Sequence, residues 1–367
     1  MNKTGFGFLR IPRLLSSEEK SVDYETLNAM VDRFLELGGT YFDTAYTYLD
    51  GISEEAIRKS LVERHPRSSF LLADKLPGYL VKSYDECETY LEASLRRCGV
   101  TFFDVYLLHW LNETNYAIAE TYKEFQFLKD CKSRGKAKKT GFSYHDGPEL
   151  LDRILKAHPE VDYVQLQINY LDWDSVTLQA RQCYEVAASH GKQIVVMEPV
   201  KGGSLAKIPQ DVERALKACR PQDSVASWAI RFATSLPQVQ TVLSGMNTME
   251  QMEDNMRFLE PISEAESRLL NQAAETIRSK TAVPCTGCGY CVSHCPMSVP
   301  IPSYFAIYND YARYPGEDWK MQHAYASVSR KASKASDCIG CRQCEHNCPQ
   351  KIEIPSFLAK VADAFEK

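Results

Sequence analysis

The chain has 367 residues, 44% hydrophobic and 25% charged, with a formal charge of −5. These are ordinary values for a soluble globular protein, and at roughly 150 residues per domain they allow about two or three domains. No apolar run reaches the roughly 20 residues that cross a bilayer, the first residues lack a secretory core, and no long basic run suits nucleic acid. The expectation is therefore a cytoplasmic protein with neither a membrane nor a nucleic-acid partner.

From the N-terminus, eight short β-rich runs alternate with helical patterns, at 4–9, 40–44, 70–75, 104–109, 139–143, 162–169, 193–198 and 240–245. Between the first two, Leu27, Met30, Val31, Phe34 and Leu35 recur at i, i+3, i+4, i+7 and i+8, the spacing of one helix face, and Gly38-Gly39 stops that helix. Most runs are continuously apolar, as strands buried on both faces should be. Eight βα units in about 250 residues predict a (β/α)₈ barrel. A doubly wound open sheet is the alternative, but no GxGxxG follows the first run. The predicted organisation is a barrel over 1–262, a linking helix over 263–282 and a small, mainly helical domain over 283–367.

The last segment holds eight of the 13 cysteines. Cys285, Cys288, Cys291 and Cys295, followed by Pro296, recur 53 positions later as Cys338, Cys341, Cys344 and Cys348, followed by Pro349. The duplication continues through Val299/Ile352, Ile301/Ile354 and Pro302/Pro355. Two copies of C-x₂-C-x₂-C-x₃-C-P have the spacing that holds [4Fe–4S] clusters: three close cysteines wrap one cluster and the fourth reaches the other. The predicted ligand sets are Cys285, Cys288, Cys291 and Cys348 for one cluster, and Cys338, Cys341, Cys344 and Cys295 for the other. Zinc, the alternative, usually pairs two C-x₂-C knuckles. The remaining five, Cys87, Cys98, Cys131, Cys183 and Cys219, are expected to be buried, inert thiols. The segment resembles bacterial-type dicluster ferredoxins. Its 42-residue insert between Cys295 and Cys338 makes it more similar to the helical dicluster domains of multi-subunit reductases.

Polar residues stand at the predicted strand ends, where barrel active sites are built. Asp43-Thr44-Ala45-Tyr46-Thr47-Tyr48 closes the second run, Lys75 the third and His109 the fourth. In these residues the barrel resembles the aldo/keto reductases, which carry D-T-A-x-x-Y, Lys and His in that order; Gly51-Ile52-Ser53-Glu54 matches the family's G-x-S-E. The resemblance covers roughly residues 4–260, and with the cysteines it suggests an iron–sulfur-containing branch.

It implies that Tyr48, with an ordinary pKa near 10, donates a proton to a carbonyl oxygen as hydride arrives. Lys75 would stabilise the phenolate, Asp43 would hold Lys75, and His109 would orient the substrate; Tyr46 is expected to be packing. The resemblance also implies a nicotinamide dinucleotide held by Ser143 and Gln165 at its carboxamide and by Gln251 and Asn255 at its adenosine. Pro199, Lys201, Gly202, Gly203, Ser244 and Gly245 would supply the phosphate loops. Three positions depart from the pattern. Tyr144 replaces the Asn after Ser143, Met197 replaces a stacking aromatic, and Met246-Asn247-Thr248 offers no base for a 2′-phosphate. NADP(H), NAD(H) and a flavin thus stay open.

Three functions follow. The first is NAD(P)H-dependent reduction of a small-molecule carbonyl, or the reverse oxidation of an alcohol. The second is single-electron transfer between a redox protein partner, the clusters and a flavin or substrate. The third is a non-catalytic regulatory subunit. Trp110, Tyr144, Tyr170 and Trp173 are the expected pocket walls.

Overall fold

The computed structural model describes all residues except 1–2, 15–20, 176–177, 258–259, 314–317 and 367. Two compact units result, one made of 1–199 with 226–263 and the other of 200–225 with 264–367. Among the described residues no helix is long and apolar enough to cross a membrane.

All eight expected runs are strands: β1 (Thr4–Gly7), β2 (Tyr41–Asp43), β3 (Leu71–Leu76), β4 (Phe103–Leu111), β5 (Ala137–Tyr144), β6 (Tyr163–Gln167), β7 (Gln193–Met197) and β8 (Val239–Gly245). Each pairs in parallel with the next, and β8 returns to β1 to close the barrel. Helix Tyr24–Glu36 begins where the Asp23 carboxylate accepts from Thr26 N, and it buries Leu27, Met30, Val31 and Phe34. Phe34 meets Phe42 of β2 and Phe6 of β1, with ring centres 5.2 and 5.5 Å apart. Each such ring gains roughly 1.5–3 kcal/mol from burial.

Inside the barrel, Tyr41, Ala73, Val105, Leu107, Val195 and Leu243 pack together, with Tyr163 against them. Side chains along a strand alternate faces, so residues two positions further on point the same way. Those residues are Asp43, Lys75, His109, Gln165, Met197 and Gly245. The pleat that fills the core also aims the strand-end polar groups into the barrel mouth.

In the second unit, helices Glu264–Ser279, Ile301–Arg313, Asp318–Ser329 and Ile354–Phe365 accompany the two cysteine loops. Val299, Tyr304, Phe305, Tyr325, Leu358, Val361 and Phe365 form a core there. The sequence duplication is also a backbone duplication. Left-handed φ values recur at Gly287 and Gly340, Gly289 and Arg342, and Ser298 and Lys351. Of the scattered cysteines, Cys87, Cys98, Cys131 and Cys183 are buried as expected. Cys219 is exposed instead, on the last turn of helix Gln210–Cys219, whose buried face ends at Leu216.

Candidate active site and cluster ligands

Lys75 is fully buried, and its Nζ donates to Asp43 Oδ1 and to the Thr44 carbonyl, both at 2.7 Å. Burial pushes the Asp43 carboxyl up, with the Lys75 cation pulling against that shift. The other carboxylate oxygen, Oδ2, is buried without a partner among the described residues. Lys75 Nζ also lies 4.7 Å from the ring centre of Tyr48.

Tyr48 enters the site through a strained turn. Leu49, Asp50 and Gly51 follow it at φ 55°, 58° and 91°, and each left-handed non-glycine residue costs on the order of 1–3 kcal/mol. The G-x-S-E residues hold this turn in place. Ser53 Oγ donates to the Phe8 carbonyl at 3.1 Å and shares a 2.7 Å hydrogen bond with Thr44 Oγ1. Glu54 is buried and pairs with Arg97 at 2.9 Å. Arg97 in turn lies over the Tyr46 ring at 4.2 Å and donates to its hydroxyl, so Tyr46 is packed.

Burial raises the Tyr48 phenol well above its ordinary pKa, and the fields of Asp43, Tyr79, Asp74 and Glu198 add to this. The phenol therefore holds its proton at neutral pH. His109 meets the Tyr48 ring edge-on, with centres 5.6 Å apart. Burial, the Lys75 cation and His145 all hold its imidazole well below the ordinary value. It is neutral, and its Nδ1 is buried without a partner among the described residues. A protonated phenol and a neutral imidazole thus share one end of the barrel with a buried ammonium.

Two residues of this end were not legible beforehand. Tyr79, in the turn after β3, sits 5.9 Å from His109 and 5.5 Å from Trp110 by ring centres, and its hydroxyl meets Thr47 Oγ1 at 3.2 Å. His145, just past β5, is pushed down to about 4 by burial. Their one sequence signal is position, within three residues of a strand end. Of the expected walls, Trp110 stands beside Tyr79. Tyr144 donates to the Gly147 carbonyl, and Tyr170 and Trp173 pack on Phe232.

Ser143 and Gln165 are register partners across β5 and β6. Ser143 Oγ accepts from Trp110 N at 2.7 Å, where β4 bulges and Trp110 adopts φ 64°. Gln165 Oε1 is buried without a partner among the described residues, an arrangement that costs about 1–3 kcal/mol until an N–H donor arrives. Asn255 Nδ2 donates to Ser244 Oγ at 3.0 Å, and Gln251 Oε1 accepts from Asn247 N. Gly245 follows Ser244 at the end of β8, and Pro199 is buried as the last residue of its segment.

Lys201, Gly202 and Gly203 belong to the second unit. There Lys201 Nζ donates to Gln350 Oε1 at 2.8 Å, and a Cβ on Gly202 would lie 2.1 Å from the Thr286 carbonyl. Lys201 and Gly202 thus meet the cysteine loops, whereas a Cβ on Gly203 would meet nothing within 4 Å.

Two pockets lie in that unit. Cys285, Cys288, Cys291 and Cys348 line one, and Cys295, Cys338, Cys341 and Cys344 line the other. Backbone N–H groups already point at sulfur: Gly287 N to Cys285 Sγ and Val299 N to Cys295 Sγ, both 3.4 Å. Four sulfurs with backbone donors around each cavity fit a thiolate-ligated cluster.

The fold agrees with the comparisons. The family model described as "Aldo/keto reductase family" matches residues 13–275, and that described as "4Fe-4S dicluster domain" matches 284–353. A TIM-barrel oxidoreductase with an iron–sulfur domain is thereby defined. The chain belongs to the aldo/keto reductase family.

An aldo-keto reductase of Mycolicibacterium smegmatis is 29% identical over 177 residues, which is 48% of this chain and 59% of that relative. The chain thus spans less than two thirds of that relative's length. The NADH-specific methylglyoxal reductase of Escherichia coli is 22% identical over 67% of this chain and 88% of its own length. Among solved structures, the fold matches an aldo-keto reductase of Klebsiella pneumoniae in complex with NADP and acetate at TM-score 0.59 and 18% identity, covering 74% of this chain and 90% of that one.

Proposed function

We propose that this chain uses NADPH or NADH to reduce the carbonyl of a small molecule, or runs the reverse alcohol oxidation, with Tyr48 as acid and base. The reading rests on the buried Lys75–Asp43 pair, placed 4.7 Å from the ring centre of a protonated Tyr48. A bound nicotinamide supplies hydride; the chain's own residues manage the proton. The Tyr48 hydroxyl gives its proton to the carbonyl oxygen as charge develops there. The Lys75 ammonium, fixed by Asp43 and the Thr44 carbonyl, stabilises the phenolate left behind. The neutral His109 offers a ring nitrogen to orient that oxygen.

Ser143 and Gln165 would hold the carboxamide, the unpartnered Gln165 Oε1 accepting its N–H. Ser244, Gly245, Gln251 and Asn255 are the proposed contacts for the rest of the dinucleotide. The NADP of the Klebsiella structure and the NADH named for the E. coli relative support a nicotinamide here. In the second unit, we propose that the two four-cysteine cavities each hold a [4Fe–4S] cluster.

The test uses anaerobic protein with methylglyoxal, the substrate named for the E. coli relative, as probe. Tyr48→Phe should lower turnover by about 10²-fold or more while leaving nicotinamide binding, read by fluorescence, intact. Unchanged turnover in that variant would overturn the reading. A second reading, single-electron transfer through the clusters to a flavin or substrate, is favoured by the cysteine cavities themselves, which hydride transfer does not require. Bleaching of the cluster absorbance by NADPH or NADH alone would select it.

A further inference from the structure

The duplication in the second unit permits a position-by-position comparison of the two cluster loops, and they differ in one respect. Around the Cys285/Cys288/Cys291/Cys348 cavity the flanking residues are Thr286, Gly289 and Gln350. Their equivalents 53 positions away are Ile339, Arg342 and Met297, which flank the other cavity. Thr286 and Gln350 are each 5% exposed, whereas Ile339 is 64% and Met297 37% exposed.

The cause of the first pair's burial is visible. Segment Lys201–Ala206 lies on it, with Gly202 against the Thr286 carbonyl and Lys201 bonded to Gln350. At the second cavity the corresponding face is bare among the described residues, and one of its ligands, Cys341, is itself exposed. Where one loop is polar and capped by the chain, its twin is apolar and open. Exposed isoleucine and methionine beside a ligand loop lose free energy to water unless something covers them.

The charge around the bare loop indicates what would cover it. Arg330, Lys331, Lys334 and Arg342 are exposed nearby in sequence. The Arg342 side chain is 74% exposed, its neighbour Glu345 being 3.9 Å away. The nearby exposed acid, Asp337, spends its carboxylate on Lys334 N. The stretch 283–367 carries nine basic and eight acidic residues in a chain whose net charge is −5. An exposed Arg342 beside apolar Ile339 and Met297, preceded in sequence by exposed Arg330, Lys331 and Lys334, complements an acidic partner and steers its approach.

Resting on the proposal that the cysteines hold clusters, we infer that the face formed by Met297, Ile339, Cys341 and Arg342 docks a small acidic protein carrying one electron at a time. The step balances simply: the carrier is oxidised by one electron, the Cys295/Cys338/Cys341/Cys344 cluster is reduced by one, and no proton or bond moves. The covered cluster is then the inner one and the bare cluster the outer.

The test mixes the anaerobic, cluster-loaded full chain with a reduced plant-type [2Fe–2S] ferredoxin, an acidic one-electron carrier, and follows cluster bleaching by stopped flow. Ile339→Glu and Arg342→Glu should each slow the second-order rate by about tenfold, and added salt should slow the wild type. Iron content and bleaching by dithionite should stay at wild-type values in both variants. Equal rates in variants and wild type, or no transfer to a wild type that dithionite bleaches, would overturn the docking face while leaving the clusters standing. Absence of iron and of visible absorbance would instead overturn the underlying cluster reading. A wild-type dimer made monomeric by Ile339→Glu would assign the face to a second copy and overturn the proposal.

Discussion

Replacing Lys75 with methionine tests how the catalytic end is held. The substitution keeps the length of the side chain and removes the cation, leaving the Asp43 carboxylate buried and the Thr44 carbonyl without its donor. Deleting one partner of a buried ion pair costs about 3–5 kcal/mol, because the survivor keeps its desolvation penalty. Lys75→Met should therefore lose about 4 kcal/mol in urea unfolding, read by tryptophan fluorescence; three of the four tryptophans lie in the barrel unit. Asp43→Asn added to Lys75→Met removes the orphaned charge and should recover most of that loss, giving a large coupling in the cycle.

The pH dependence follows from the direction of the Asp43 shift. Its carboxyl is already raised by burial, with Lys75 the opposing influence. Without Lys75 it rises further. An acid whose folded pKa exceeds its unfolded one gives stability that is complete below the unfolded pKa and lost as pH climbs through the folded one. The deficit of Lys75→Met should thus widen from pH 5 to pH 8. A single variant costing less than about 1 kcal/mol, or a double variant no more stable than the single, would refute the pairing argument.

Two further outcomes follow from other parts of the chain. Glu124 is fully buried, with neither carboxylate oxygen partnered among the described residues, and burial pushes it up to about 7 from 4.5. Its contribution is complete below pH 4.5 and lost as pH rises through 7, so Glu124→Gln should stabilise the protein by about 3 kcal/mol at pH 9 and scarcely at pH 5; equal gains at both pH values would count against this. Gly202 has φ 66°, and a Cβ there would come 2.1 Å from the Thr286 carbonyl. Gly202→Ala should therefore separate segment Lys201–Ala206 from the Cys285–Cys291 loop and speed iron loss to a chelator by about fivefold or more, as for a cost of roughly 1 kcal/mol or greater. An unchanged loss rate would show that the segment does not guard that loop.

What could be read in advance, and what could not, divides along the periodicity of the chain. Barrel strands announce themselves because both faces are buried, and the two-residue repeat carries that certainty upward: once Tyr41, Ala73 and Leu107 are core, Asp43, Lys75 and His109 must point into the same interior. The cysteine motifs were legible for a similar reason, since their spacing is itself the geometry. Tyr79 and His145 lie beyond the last paired residue of their strands, where no repeat sets the direction of a side chain.

Lys201, Gly202 and Gly203 illustrate the deeper difficulty. A basic residue before two glycines at a barrel strand end suits a phosphate, because glycine lets an anion approach the backbone. The same left-handed glycine also lets another backbone approach, and here that neighbour is the Thr286 carbonyl. Sequence specifies the permission for close approach, while the identity of what approaches is decided by chain 84 residues further on. The duplicated loops then supply what the glycines cannot. Since Thr286 and Ile339 occupy equivalent places in one repeat, their difference in cover is a property of the surroundings rather than of the loop, and it is the surroundings of Ile339 that a partner would complete.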